Sequence, residues 1–173
     1  YFLWLVLPSH KQLEYVLAEE HRYKMVELAI KNNPAFEVSS LEMDREGYSY
    51  TVDTIEYFLK NCPEQEIYFI MGADSLLFMD TWKEYERLAT LCKFVVVTRP
   101  GYILDKSDKR LQHLPSGLWN NIRGLQIPGL DISSSNIRKR VAEGRPIKYL
   151  LPPGVEEYID YHYLYREKVE NVK

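Results

Sequence analysis

Cysteine is scarce in this chain: Cys62 and Cys92 are the only two in 173 residues, and they form no Cys-x-x-Cys pair. Two isolated thiols exclude a disulfide-built scaffold, so both are expected to be reduced, ordinary residues. The four histidines, His10, His21, His113 and His162, show no metal-ligand spacing, and no structural zinc is expected. Long hydrophobic runs are missing too. The longest, Tyr1–Leu7, falls far short of the roughly 20 residues that span a bilayer, and no basic segment precedes it as in a signal peptide. Charge of one sign is not in excess: a net −3 provides no field for a polyanion, so nucleic acid is not an expected partner. The standard nucleotide loops, G-x-x-x-x-G-K-[ST] and G-x-G-x-x-G, are absent, as are internal repeats and low-complexity tracts. These absences leave a soluble, cytoplasmic protein without membrane attachment as the expectation.

At 46% hydrophobic content the chain can bury the core of one domain. It opens on Tyr1, without a methionine, inside an apolar run that reads as a strand already under way, and so reads as lacking its natural start. Apolar runs then alternate with helical patterns, the signature of an α/β fold with a parallel sheet and helices on its faces. Strands are expected at Tyr1–Leu7, Phe36–Leu41, Ile67–Met71 and Phe94–Thr98, the last two buried on both faces. Helices are expected from Ala18 to about Asn32, from Thr51 to Asn61, from Asp74 to Leu91 with an interruption at Asp80-Thr81, over Asn136–Glu143 and from Val155 to about Leu164. Residues 102–124 carry no clean period and read as a loop excursion, and residues 166–173 as a frayed tail of the single domain 1–173.

The run Ile132-Ser133-Ser134-Ser135-Asn136-Ile137-Arg138 sets hydroxyls at the mouth of a helix and a guanidinium one turn in. A helix N-terminus offers unpaired N–H groups and roughly +0.5 of a charge, so hydroxyls, amides and Arg138 can converge on a phosphate. The plainer account is a serine cap with Arg138 on a solvated face. Leu125–Leu130 ahead of the run reads as a short strand and turn, which places the serines beyond a strand end, where ligands bind in open α/β sheets.

Other strand ends carry further candidates. Gly72-Ala73-Asp74-Ser75 follows a buried strand and opens a helix, with a carboxylate suited to ribose hydroxyls, or simply an Asp74 cap. Trp82 offers a flat face to a heteroaromatic ring, although a tryptophan at helical spacing is more often core. Tyr48-Ser49-Tyr50-Thr51, just before a helix, supplies hydroxyls and amides for a small carboxylate, or only a cap. His10-Lys11 is a second cationic candidate for phosphate, and Arg99 closes a buried strand at the same sheet edge; a solvated pair and a surface arginine are the plainer accounts.

Together, Ser49-Tyr50-Thr51-Val52-Asp53-Thr54, Gly72-Ala73-Asp74-Ser75-Leu76, Trp82, Phe94–Gly101, the Ile132–Arg138 run and the ending Leu151–Ile159 resemble bacterial nicotinate-nucleotide adenylyltransferase over nearly the whole chain. Each motif is weak alone and the combination is specific. The resemblance implies a doubly wound, Rossmann-like nucleotidyltransferase fold that joins ATP to nicotinate mononucleotide, giving deamido-NAD and pyrophosphate in NAD biosynthesis. Mg2+ would arrive on the ATP phosphates, and no metal would be held by the protein alone. Ser134, Ser135 and Arg138 would hold the triphosphate, with His10 and Lys11 at its far end; Arg138, Ser134 and His10 would act on the reacting phosphates. Gly72 and Asp74 would contact the ATP ribose, Trp82 would stack on the nicotinate ring, Thr51 and its neighbours would receive the nicotinate carboxylate, and Tyr50 and Arg99 would also bind the mononucleotide.

One part of the family pattern is not in this sequence, namely the N-terminal glycine-rich turn with its His-x-x-His signature, on the first strand-helix unit. The chain is therefore expected to be a portion of a longer protein, or its ordered part, with activity belonging to the intact protein. A related adenylyltransferase for another phosphorylated substrate such as phosphopantetheine is the alternative among enzymes, and a non-catalytic nucleotide-binding module is the alternative outside them. A preference between nicotinate and nicotinamide mononucleotide is not legible, and the oligomeric state stays open, a homo-oligomer included.

Overall fold

The computed structural model describes residues 17–98, 104–130 and 132–166. The chain divides into two compact units, one formed by Tyr1–Asp44 with Leu130–Lys173 and the other by Arg45–Gly129.

The unit Arg45–Gly129 is α/β. Its centre is strand β2 (Lys93–Thr98), whose β-branched and aromatic residues suit a pleated, packed surface. Strands β1 (Tyr68–Gly72) and β3 (Ile122–Gln126) pair with it on either side, all parallel, with Phe69 beside Phe94 and Phe94 beside Ile122. Phe94, Val96 and Thr98 of β2 are buried, and Phe69 and Met71 of β1 share their face. Against that face pack helix α2 (Thr51–Asn61), through Val52 and Ile55, and helix α4 (Tyr85–Leu91), through Leu88 and Ala89. The expected burial of the strands on both faces is not met among the described residues, because Ile70, on the opposite face of β1, is 62% exposed.

The helix expected over 74–91 is broken where its sequence indicated. Helix α3 (Ala73–Leu76) gives way to a 3-10 turn at Met79–Thr81, and α4 follows. The Thr81 hydroxyl donates to the Phe78 carbonyl at 2.7 Å, so a side chain competes for the backbone acceptor that the helix would use. The stretch 104–121 is better organised than an excursion. Two 3-10 turns, Lys109–Leu111 and Ser116–Asn120, turn Leu111, Leu114 and Leu118 into the core, and β3 starts at Ile122, three residues before the strand read from sequence.

The other unit is helical among its described residues. Helices α1 (Glu19–Ile30), α5 (Ser134–Ala142) and α6 (Pro153–Tyr161) close around Val141, Ile147, Val155, Ile159 and Leu164, with Met25, Leu28 and Ile137 against them. Gly154, at the second position of α6, lies beside α1, where a Cβ would make an ordinary contact with Leu28 at 3.9 Å. Helix α5 ends at Gly144, whose φ of +68° is a left-handed conformation that a side chain would strain. The strand expected at Phe36–Leu41 does not form. Side chains take the backbone instead: Ser39 Oγ accepts from the Leu41 amide at 3.2 Å, Ser40 Oγ donates to Asp44 at 2.9 Å, and the Met43 amide turns back to Ser40. The strand expected at Tyr1–Leu7 lies outside the described residues.

Candidate functional site

In the unit Arg45–Gly129, Gly72 and Asp74 stand at the carboxyl end of β1. Strand β1 ends at Gly72 and passes straight into α3, which carries Asp74 exposed at that end. The first turn of α2 lies beside the segment that follows α3, since Asp53 pairs with Lys83 at 3.1 Å. Tyr50 occupies the capping position in an extended conformation and gives no side-chain cap, so the first-turn amides from Thr51 onward point to the mouth of this eleven-residue helix unclaimed by it. Ser49 beside them is buried.

Trp82 is placed partly as a core residue. It packs against the core, edge-on to Phe69 at 5.7 Å between ring centres and 82° between planes, yet it is only half-buried. Its backbone stands just past the 3-10 turn in an extended conformation, and the Trp82 amide donates to the Met79 carbonyl at 3.0 Å. An edge-on contact leaves an indole face without that neighbour, which is what ring stacking requires. Among the described residues, a Cβ at Gly72 would meet nothing within 4 Å, which leaves room there for a ligand.

In the other unit the three serines divide their work. Ser133 is the cap of α5, its hydroxyl accepting from the Asn136 amide at 3.1 Å. That leaves Ser134 and Ser135, the first two helical residues, exposed and free of the capping duty. Arg138 lies one turn in, half-buried, and donates from Nη2 to Ser135 Oγ at 3.2 Å. The guanidinium is thus drawn back to the N-terminal mouth, and hydroxyls, amides and a fixed cation sit on one turn of helix. Such a turn is suited to a phosphate.

Two residues here escaped the sequence reading. Burial pushes the Tyr165 phenol up, while the nearby Arg138 and Arg22 guanidiniums pull it down. Arg22 Nε is itself buried and has no hydrogen-bond partner among the described residues. The signal was present, since Arg22 precedes Met25 by one turn on the apolar face of α1.

Gly72 and Asp74 stand at the end of β1, Trp82 directly precedes the Lys83 that pairs with Asp53 in the first turn of α2 beside Tyr50 and Thr51, and Ser134, Ser135 and Arg138 share the α5 mouth of the other unit. His10, Lys11 and Arg99 lie outside the described residues.

A cytidylyltransferase-like family model matches residues 5–140. A protein of Thermoanaerobacter sp. (strain X514) named a probable nicotinate-nucleotide adenylyltransferase is 48% identical over 165 residues, covering 95% of this chain and 78% of the relative. One of the same name from Moorella thermoacetica is 46% identical over 166 residues, 95% of this chain and 76% of its own length. In fold, the chain is similar to the nicotinic acid mononucleotide adenylyltransferase of Plasmodium falciparum complexed with NaAD, with a TM-score of 0.72 at 24% identity, over 94% of this chain and 81% of that one.

Proposed function

The chain belongs to the nicotinate-nucleotide adenylyltransferase family, and from that premise we propose which of its residues carry adenylyl transfer from ATP to nicotinate mononucleotide. The 5′-phosphate of the mononucleotide attacks the α-phosphorus of ATP in line. A bond forms from a phosphate oxygen to that phosphorus, the bond from the phosphorus to the oxygen bridging to the β-phosphate breaks, and the products are deamido-NAD and pyrophosphate. No protein nucleophile is needed, so the protein supplies position and charge.

The observation that carries the assignment of residues is the Ser135–Arg138 contact on the first turn of α5. Arg138, with Ser134 and Ser135, holds the triphosphate and offsets the charge that gathers on the leaving pyrophosphate. His10 and Lys11 act at its far end. Asp74 accepts from the ATP ribose beside Gly72. Trp82 stacks on the pyridine ring, the first amides of α2 and the Thr51 hydroxyl receive the nicotinate carboxylate, and Tyr50 and Arg99 complete that pocket.

Magnesium would enter with the substrate, on the ATP phosphates, as the resemblance implies. Among the described residues, no helix is long and apolar enough to cross a membrane, and a reaction that consumes ATP fits a cytoplasmic protein.

The test is pyrophosphate release from ATP with nicotinate mononucleotide, nicotinamide mononucleotide and phosphopantetheine offered in turn. Release with a pyridine mononucleotide alone supports the reading; release only with phosphopantetheine, or ATP binding without release, overturns it. The indole at Trp82 favours a ring over a flexible chain.

A further inference from the structure

Lys83 stands directly after Trp82 and reaches to the start of α2, 30 residues away in sequence. Its Nζ lies 3.1 Å from both carboxylate oxygens of Asp53 and 4.5 Å from the centre of the Tyr50 ring. These two partners bracket Thr51. A second cation holds the same turn: Arg45 Nη1 donates to Thr54 Oγ1 at 2.8 Å and Nη2 to the Asp53 carbonyl at 3.4 Å.

For stability the Lys83–Asp53 pair counts little, because its side chains are 39% and 40% exposed and water screens them. As a constraint on distance it counts more. It ties the backbone that carries Trp82 to the turn that carries the Thr51 amide, and a ligand stacked on one and bonded to the other has to match that spacing.

We infer that Lys83 is a positioning residue for the pyridine mononucleotide: its ammonium, clamped between Asp53 and Tyr50, sets the spacing between Trp82 and the N-terminus of α2. The inference rests on the assignment of Trp82 and Thr51 to that substrate. Because Asp53 occupies the ammonium, Lys83 works through its neighbours and does not bind the substrate carboxylate itself. Its effect falls on the mononucleotide and leaves ATP untouched.

The experiment is steady-state kinetics of the intact enzyme with each substrate varied. Lys83→Met raises KM for nicotinate mononucleotide about tenfold, with KM for ATP and kcat unchanged. Lys83→Arg, which keeps charge and reach, recovers most of the loss. Asp53→Asn matches Lys83→Met, and the double variant is no worse than either single one, since each breaks the same link.

Three results overturn the inference. If Asp53→Asn lowers KM for the mononucleotide, the released ammonium is binding the carboxylate directly. If Lys83→Met lowers the melting temperature and raises both KM values in parallel, the role is structural. If Lys83→Met leaves KM for the mononucleotide unchanged, a Trp82→Leu control separates the causes: a raised KM there keeps the site and refutes the tether, and an unchanged one refutes the assignment of the site as well.

Discussion

Arg138 Nη2 donates a 3.2 Å hydrogen bond to Ser135 Oγ, three residues earlier on the same face of α5. This exposed bond draws the guanidinium back toward the first turn, where the helix carries its partial positive charge. The neighbouring Ser133 has a different duty, since its hydroxyl caps the helix through the Asn136 amide.

The two serines therefore separate by variant. Ser133→Ala removes the cap and costs about 1 kcal/mol of stability, read as a fall in the melting temperature. Ser135→Ala leaves the melting temperature close to wild type and raises KM for ATP by roughly 3- to 10-fold, the worth of one hydrogen bond. Equal effects of both variants on stability, with none on KM, would assign the whole run to capping.

Leu118 tests whether residues 104–121 are part of the core. It is 1% exposed and belongs to the same buried cluster as Leu111 and Leu114. Leu118→Ala should cost about 2–5 kcal/mol in urea unfolding. A loop merely draped over the surface would give roughly 0.5 kcal/mol or less.

The thiols should differ in reactivity. Burial pushes Cys92 up to about 12, whereas Cys62 is only half-buried. At pH 8, iodoacetamide labelling read by mass spectrometry should modify Cys62 first and leave Cys92 intact until the protein unfolds. The raised value also sets a pH slope. An unfolded thiol loses its proton near 9 while the folded one keeps it to about 12, so stability falls as pH rises through that window. Rapid labelling of Cys92 in the folded protein would contradict its burial.

The sequence showed the parts of the fold whose signals are local. Phe94–Thr98 is a continuous β-branched and aromatic run, and Thr51–Asn61 puts Val52 and Ile55 on one stripe, so β2 and α2 appear within a residue of their expected bounds. What failed depended on competition or distance. Phe36–Leu41 looked like a strand, but serine hydroxyls and a turn took its backbone bonds. The core leucines at 111, 114 and 118 recur at spacings of three and four, yet turns interrupt them too often for a helical period to show. In the site, the hydroxyl-and-guanidinium turn was readable because its parts are neighbours in sequence. The Lys83–Asp53 link and the approach of Arg22 to Tyr165 were not, since each joins segments that only folding brings together.

The most direct measurement is pyrophosphate release from ATP and nicotinate mononucleotide by the intact enzyme carrying Arg138→Ala, with the melting temperature as a control on folding. A charge-assisted contact to phosphate is worth about 1.5–3 kcal/mol, so kcat/KM for ATP should fall roughly 10- to 100-fold in a protein that remains folded. Unchanged release and unchanged ATP affinity would contradict the account, because the cation at the mouth of α5 would then have no nucleotide to hold.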